Sequence, residues 1–65
     1  MVSRFEIRNA NDNQLVCGAF SIEDARIRAI AASKGRKVAM NITSDVSMRV
    51  VARYNRNGIQ VAFIG

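Results

Sequence analysis

A lone cysteine and the absence of histidine are the features that most constrain the fold of this 65-residue chain. Cys17 has no partner for an internal disulfide, and without histidine the usual zinc sites cannot be assembled. A chain of this size buries only about 60% of the surface that its unfolded form exposes. Since neither kind of reinforcement is available, we expect one compact domain over residues 1–65 that gains stability by self-association.

The order of the strand and helix signals predicts an α+β fold. Alternating or continuous apolar residues predict strands at about residues 3–8, 15–20, 38–43, 47–54 and 59–64. One helix is predicted between the second and third strands. The expected architecture is an antiparallel β-sheet of four or five strands with one helix packed on one face, in the order β-β-α-β-β-β. A helix over residues 44–54, capped by Ser44, is the main alternative for the fourth strand.

Two turn signals predict how the strands pair. The polar segment 9–13 favours a hairpin between the first two strands. The segment 55–58 favours a second hairpin with a four-residue loop, which pairs Tyr54 with Ile59, Ala52 with Val61 and Val50 with Phe63 on the core face. The second strand is apolar at nearly every position, which predicts that both of its faces are covered.

The helix is predicted to follow Ser21, whose hydroxyl can accept a hydrogen bond from the Asp24 amide, and to span residues 22–34. Gly35 is expected to end it in a left-handed conformation. On a helical wheel, one stripe of mostly small residues suits close packing on a sheet: Ile22, Ala25, Ala29 and Ala32. A second apolar stripe lies roughly opposite and predicts a self-association surface formed by Ile27, Ile30 and Ala31.

The residues expected of an enzyme are missing from the pattern. No histidine base accompanies the serines or Cys17, and the five acidic residues are scattered over turns, strand exteriors and the helix start. The four glycines are isolated from one another, so no phosphate-binding loop is present. We therefore expect a non-catalytic binding protein with no cofactor, no metal ion and no small-molecule substrate. Cys17 is interpreted as a small core residue.

Positive charge is the strongest indication of a partner. Ten Lys and Arg residues against five acidic ones give a net charge of +5, which favours nucleic acid or an acidic protein surface. Eight of the ten are arginine, a residue suited to bidentate phosphate contacts. Outward strand positions, the helix end and the last turn supply the predicted binding residues: Arg4, Arg8, Arg36, Lys37, Arg49, Arg53 and Arg56. The alternative is that these side chains are simply solvated.

Two functions remain as hypotheses. The first is a small nucleic-acid-binding regulator or accessory subunit that uses an arginine-bearing sheet face. The second is an inhibitor of the type encoded by phages and mobile elements, which blocks a host or defence protein by direct binding. The amino-terminal residues contain no apolar run long enough for a signal peptide or a membrane span, so we expect a cytoplasmic homodimer without membrane contact.

Overall fold

Five strands and one helix follow the predicted order. The computed structural model describes residues 4–64. Its elements are β1 (Phe5–Asn9), β2 (Leu15–Ala19), α1 (Ile22–Arg36), β3 (Met40–Ser44), β4 (Val50–Tyr54) and β5 (Gln60–Phe63). The strands form one antiparallel sheet in the order β2-β1-β3-β4-β5. The predicted α+β fold is confirmed, and the helical alternative for residues 44–54 is wrong. Ser3, which the sequence places in the first strand, lies outside the described residues.

The start of α1 agrees with the prediction and its end does not. Ser21 Oγ accepts the predicted hydrogen bond from the Asp24 amide at 3.1 Å. The helix then continues through Gly35 to Arg36, and Lys37 adopts the left-handed conformation with φ 56°. The Ser33 carbonyl accepts bonds from the Lys37 and Val38 amides, which ends the helix two residues later than predicted.

Small side chains allow α1 to pack closely on the sheet. Ala25, Ala29 and Ser33 are fully buried, and Ile22 and Ala32 pack beside them. The predicted small-residue stripe is thus confirmed, with Ser33 added to it. The Ser33 hydroxyl donates to the carbonyl of Ile30 at 2.9 Å, so its burial leaves no unpaired donor. Among the described residues, α1 contacts β1, β2, β3 and β4 but not β5.

The core beneath the helix is thin. Four large side chains are fully buried, namely Ile7, Met40, Ile42 and Tyr54. The remaining apolar core residues are alanines: Ala19, Ala25, Ala29 and Ala52. Nine large apolar side chains remain exposed in the described part of the chain: Leu15, Phe20, Ile27, Val46, Met48, Ile59, Val61, Phe63 and Ile64. More large apolar side chains therefore lie outside the core than inside it.

Strand β2 is covered on one face only, so the prediction of two covered faces is wrong. It forms one edge of the sheet, and Leu15 is 55% exposed. Ala19 is buried, whereas Val16 and Cys17 are half-buried and pack against the core. The continuous apolar run arises because a bulge between β1 and β2 interrupts the alternation of faces.

A bulge in β5 overturns the predicted pairing of the last hairpin, and another bulge lies where β4 pairs with β3. Tyr54 pairs with Gln60, and Ala52 pairs with Phe63, with Val61 as the extra residue. A five-residue connection, residues 55–59, thus replaces the predicted four-residue loop, and every residue of β5 is exposed. In β4, the register shifts so that Thr43 pairs with Val50 and leaves Val51 as the extra residue. The predicted core pairs Tyr54–Ile59, Ala52–Val61 and Val50–Phe63 do not form.

Candidate functional site

Most of the positive charge lies at one end of the sheet. At this end β1 and β4 finish, β3 begins, α1 terminates and the β4–β5 turn lies. We call it the basic end, and its six Lys and Arg residues are Arg8, Lys34, Arg36, Lys37, Arg53 and Arg56. Two acidic residues accompany them, Asp12 in the β1–β2 turn and Glu6, whose carboxylate binds Arg8. This end therefore holds four of the five net positive charges.

Two adjoining clefts open at the basic end. One has a volume of about 510 Å³ and is lined by Lys34, Lys37, Arg56 and Asn57. The other has a volume of about 430 Å³, and its lining residues are Ala10, Asn11, Lys37, Val38, Ala39 and Arg56. Lys37 and Arg56 thus line both clefts, although they lie in different connections of the chain. Among residues 4–64, no acidic side chain and no aromatic ring lines either cleft.

The cations of the basic end differ in their availability. Arg8 donates from Nε and Nη2 to Glu6 Oε1, at 3.2 and 2.9 Å, and from Nη1 to the Asn13 carbonyl at 2.9 Å. Arg53 donates from Nε to Asn41 Oδ1 at 2.9 Å. Within residues 4–64, Lys34, Arg36, Lys37 and Arg56 form no ion pair. The cations that line the clefts are therefore free to meet an anion, whereas Arg8 is largely engaged inside the fold.

Glycine at position 58 positions Arg56 close to the helix end. Gly58 has a φ of 79°, and a Cβ added there would lie 3.0 Å from both Cγ and Cε of Lys34. The turn can approach the Lys34 stem only because no side chain intervenes. The Asn55 side chain holds the same turn by accepting from the amides of Asn57 and Ile59 at 2.9 and 3.1 Å.

Lys37 occupies a backbone conformation that lysine seldom adopts. Its φ of 56° lies in the left-handed region, where a residue with a Cβ costs about 1–2 kcal/mol more than in the right-handed one. Glycine or asparagine is the usual residue at such a helix end. A lysine here places a flexible positive charge between the two clefts.

The sequence-predicted binding residues divide into two groups. Arg8, Arg36, Lys37, Arg53 and Arg56 lie at the basic end, and Arg8 and Arg53 flank Asn41 on the sheet face away from the helix. Arg4 and Arg49 lie at the opposite end, where their carbonyls accept from the Asp45 and Ser44 amides. Arg8 and Arg53 thus share one sheet face, whereas Arg4 and Arg49 lie outside the strands at the other end of the sheet.

Sequence reasoning missed Lys34, which lines the larger cleft. Its position one helical turn before Lys37 was a usable signal, because residues three apart share a helix face. Of the predicted self-association residues, Ile27 is 68% exposed and Ala31 is exposed. Ile30 packs against the core and lies 3.2 Å from the position of a Gly58 Cβ, so the fold absorbs part of that stripe.

Electrostatic features elsewhere are modest. The Asp24 carboxylate raises the pKa of Arg28 above its ordinary value, first by a hydrogen bond and then by its charge. Across residues 4–64, no three His, Cys, Asp or Glu side chains cluster in a way that could hold a metal ion. No helix among these residues is long and apolar enough to cross a membrane.

Comparisons were made with protein-family models, with curated proteins and with solved structures, and none of the three found a match.

Proposed function

We propose that the protein binds the phosphate backbone of nucleic acid through its basic end and acts as a small regulator or accessory subunit, not as an enzyme. The observation that carries this proposal is the convergence of Lys37 and Arg56 on two clefts without a lining carboxylate. Arginine can hold a phosphate with two parallel hydrogen bonds, and lysine adds a mobile point charge. The amides of Asn11 and Asn57 supply further hydrogen-bond donors in the clefts.

Side chains must provide the attraction. The carbonyl end of a helix carries partial negative charge, so the end of α1 disfavours an anion by itself. Lys34 and Arg36 offset that charge, which is their structural role in the last turn. Lys37 and Arg56 lie beyond the last turn, so their positive charges are not needed to offset the partial negative charge of the helix end and can attract an anion. The contact is therefore expected to weaken strongly with salt.

Among the described residues, the clefts have no aromatic ring on which a base could stack. The exposed ring of Phe20 adjoins the helix start, at the opposite end of the sheet, and the ring of Tyr54 is buried. Without stacking aromatics, binding depends on phosphate contacts and shows little sequence preference.

The test is fluorescence anisotropy with labelled duplex DNA, single-stranded DNA and RNA, titrated from about 50 to 200 mM salt. The key variant is the double substitution Lys37→Asn with Arg56→Gln, because asparagine tolerates the left-handed backbone while removing the charge. Its matched control is Arg4→Gln with Arg49→Gln, which removes the same charge from the opposite end.

We expect the first pair to lower affinity on the order of 10- to 100-fold at low salt and to reduce the log–log salt slope by roughly two. The control pair should leave the slope almost unchanged. Equal losses from both pairs would show that net charge alone drives binding. No binding of the unmodified protein to any of the three probes would refute the function itself.

The alternative, inhibition of another protein by direct binding, is favoured by one observation at the opposite end. Phe20, Val46 and Met48 are 55%, 82% and 70% exposed there, and Phe20 and Val46 line a cleft of about 290 Å³. The inhibitor hypothesis predicts a protein complex that survives nuclease treatment. Val46→Asp should disrupt this complex, and the Lys37 and Arg56 substitutions should leave it intact. Loss of all bound protein after nuclease treatment would exclude it.

A further inference from the structure

Strand β5 forms an edge of the sheet that no charged residue or proline protects. β4 bonds one side of its backbone, so alternate N–H and C=O groups on the other side point to solvent. Residues 57–64 contain no charged side chain and no proline, which are the usual means of guarding an edge. The bulge at Val61 is the single irregularity, and beyond it the pairing of residues 62 and 63 with β4 is regular.

We propose that a second copy of this chain covers this edge, with β5 pairing antiparallel to β5 of the other copy about a twofold axis. Such pairing is isologous, because each copy presents the same strand and the same side chains to the other. It would join two five-stranded sheets into one continuous sheet.

The charge distribution favours an antiparallel copy as the occupant. β5 runs from the basic end of the sheet to the opposite end. Antiparallel pairing therefore places the basic end of one copy beside the less charged end of the other, and the two clusters of four net charges stay apart. The strands themselves meet through an uncharged segment, so no like-charged side chains of residues 57–64 face each other across the seam.

The exposed apolar area fits the same occupant. Ile59, Val61, Phe63 and Ile64 are 60%, 56%, 53% and 75% exposed. Together they expose on the order of 400 Å² of apolar surface, within the range of the largest patches on monomers. Two copies bring about 800 Å² of such surface to the seam, and the 1,200–2,000 Å² of a stable interface requires flanking residues as well.

The thin core gives a reason for a permanent cover. Half of the eight apolar core residues are alanine, and the chain has no disulfide or zinc site to compensate. A second copy is present wherever the protein is made, so its apolar contacts can add to the stability of the small core at all times. This places the dimer seam on β5, whereas the sequence predicted it on the helix at Ile27, Ile30 and Ala31.

The test is the mass of the protein by light scattering at about 10–100 μM without nucleic acid, since μM affinity is the lower range of specific interfaces. We expect twice the 7.2 kDa chain mass. Val61→Lys should reduce the mass to 7.2 kDa. The matched control is Leu15→Lys on the other edge strand, where exposure is 55% against 56% at Val61, and it should leave the dimer intact.

Circular dichroism tests whether each variant is folded. If Val61→Lys is unfolded, Ile64→Lys takes its place, because residue 64 lies just outside the strand. A mass of 7.2 kDa for the unmodified protein at every concentration would overturn the proposal. That result would also be expected if a strand of another protein, and not a second copy, occupies the edge. Equal dissociation by Leu15→Lys would overturn it too. If Ile27→Lys dissociates the dimer and Val61→Lys does not, the dimer interface lies on the helix and not on β5.

Discussion

The two edge strands, β2 and β5, are both uncharged but have different surroundings. Helix α1 covers β2, whose Ala19 is 1% exposed, and Arg28 of the helix pairs with Asp24 at 3.0 Å on the surface above the sheet. No element covers β5, and Phe63 remains 53% exposed.

Helix width explains the difference. A helix is about 10 Å across with its side chains, and strands lie about 4.8 Å apart, so one helix cannot reach across all five strands. The small residues Ala25, Ala29 and Ser33 bring α1 close to the sheet, where it contacts β2, β1, β3 and β4 but not β5. The β5 edge therefore stays uncovered. The burial of an apolar strand is set by the reach of the element above it and not by its own composition.

The largest expected effect contrasts a covered strand with the open one. Ile7→Ala in β1 removes a side chain with 0% exposure and should lower the free energy of unfolding by about 2–5 kcal/mol. Val61→Ala in β5 should change it by less than about 0.5 kcal/mol in dilute solution, where self-association does not contribute. Urea denaturation measures both. Because the first change can unfold so small a domain, Ile7→Val, with an expected loss of about 0.5–1.5 kcal/mol, provides a milder measurement. Similar losses at both positions would contradict the contrast.

A smaller effect is expected at the turn that holds the β4–β5 hairpin against the helix. Gly58→Ala forces a side chain into a φ of 79° beside Lys34 and Ile30 and should cost about 1–2 kcal/mol. In Gly35→Ala the new Cβ meets nothing within 4 Å, so helix propensity should raise stability by up to about 1 kcal/mol. Thermal denaturation of the two variants should give shifts of opposite sign. A stabilised Gly58→Ala would show that the turn does not need its left-handed residue.

The smallest expected effect concerns the hydrogen bonds that link the helix to the open edge. Arg26 Nε donates to Tyr54 Oη at 3.1 Å, and Tyr54 Oη donates to Gln60 Oε1 at 3.0 Å. Tyr54→Phe removes both bonds and should cost about 1 kcal/mol. Amide hydrogen exchange should then accelerate in β5 and stay unchanged in β2. Equal acceleration in both strands would mean that the link supports the whole fold.

Local signals allowed much of the fold to be predicted. Ser21 begins the helix as expected, and the alternation in residues 38–43 places Met40 and Ile42 in the core. The bulges at Val51 and Val61 were not predictable, because each extra residue is apolar like its neighbours and the pattern does not show which residue is left unpaired. The helix end at Lys37 was missed because Gly35 offered the stronger local signal.

The candidate site was predictable in charge but not in detail. The sequence selected Lys37 and Arg56, and only the fold brings them to shared clefts. It could not show that Glu6 engages Arg8, because that pairing depends on side-chain conformations along one strand. It also could not separate Arg4 and Arg49 from the others, since the end of the sheet at which each of them lies depends on how the strands pair.

The alanine-rich core has a thermal consequence. The increase in heat capacity on unfolding scales with the apolar area that becomes exposed. At typical values it is about 0.8–1 kcal/mol/K for a chain of this length. The enthalpy of unfolding is correspondingly small, about 45 kcal/mol near 60 °C. A core in which alanines stand for half of the apolar residues should lie at or below these values. The stability curve of a single chain is therefore shallow, and the chain melts over a broad temperature range.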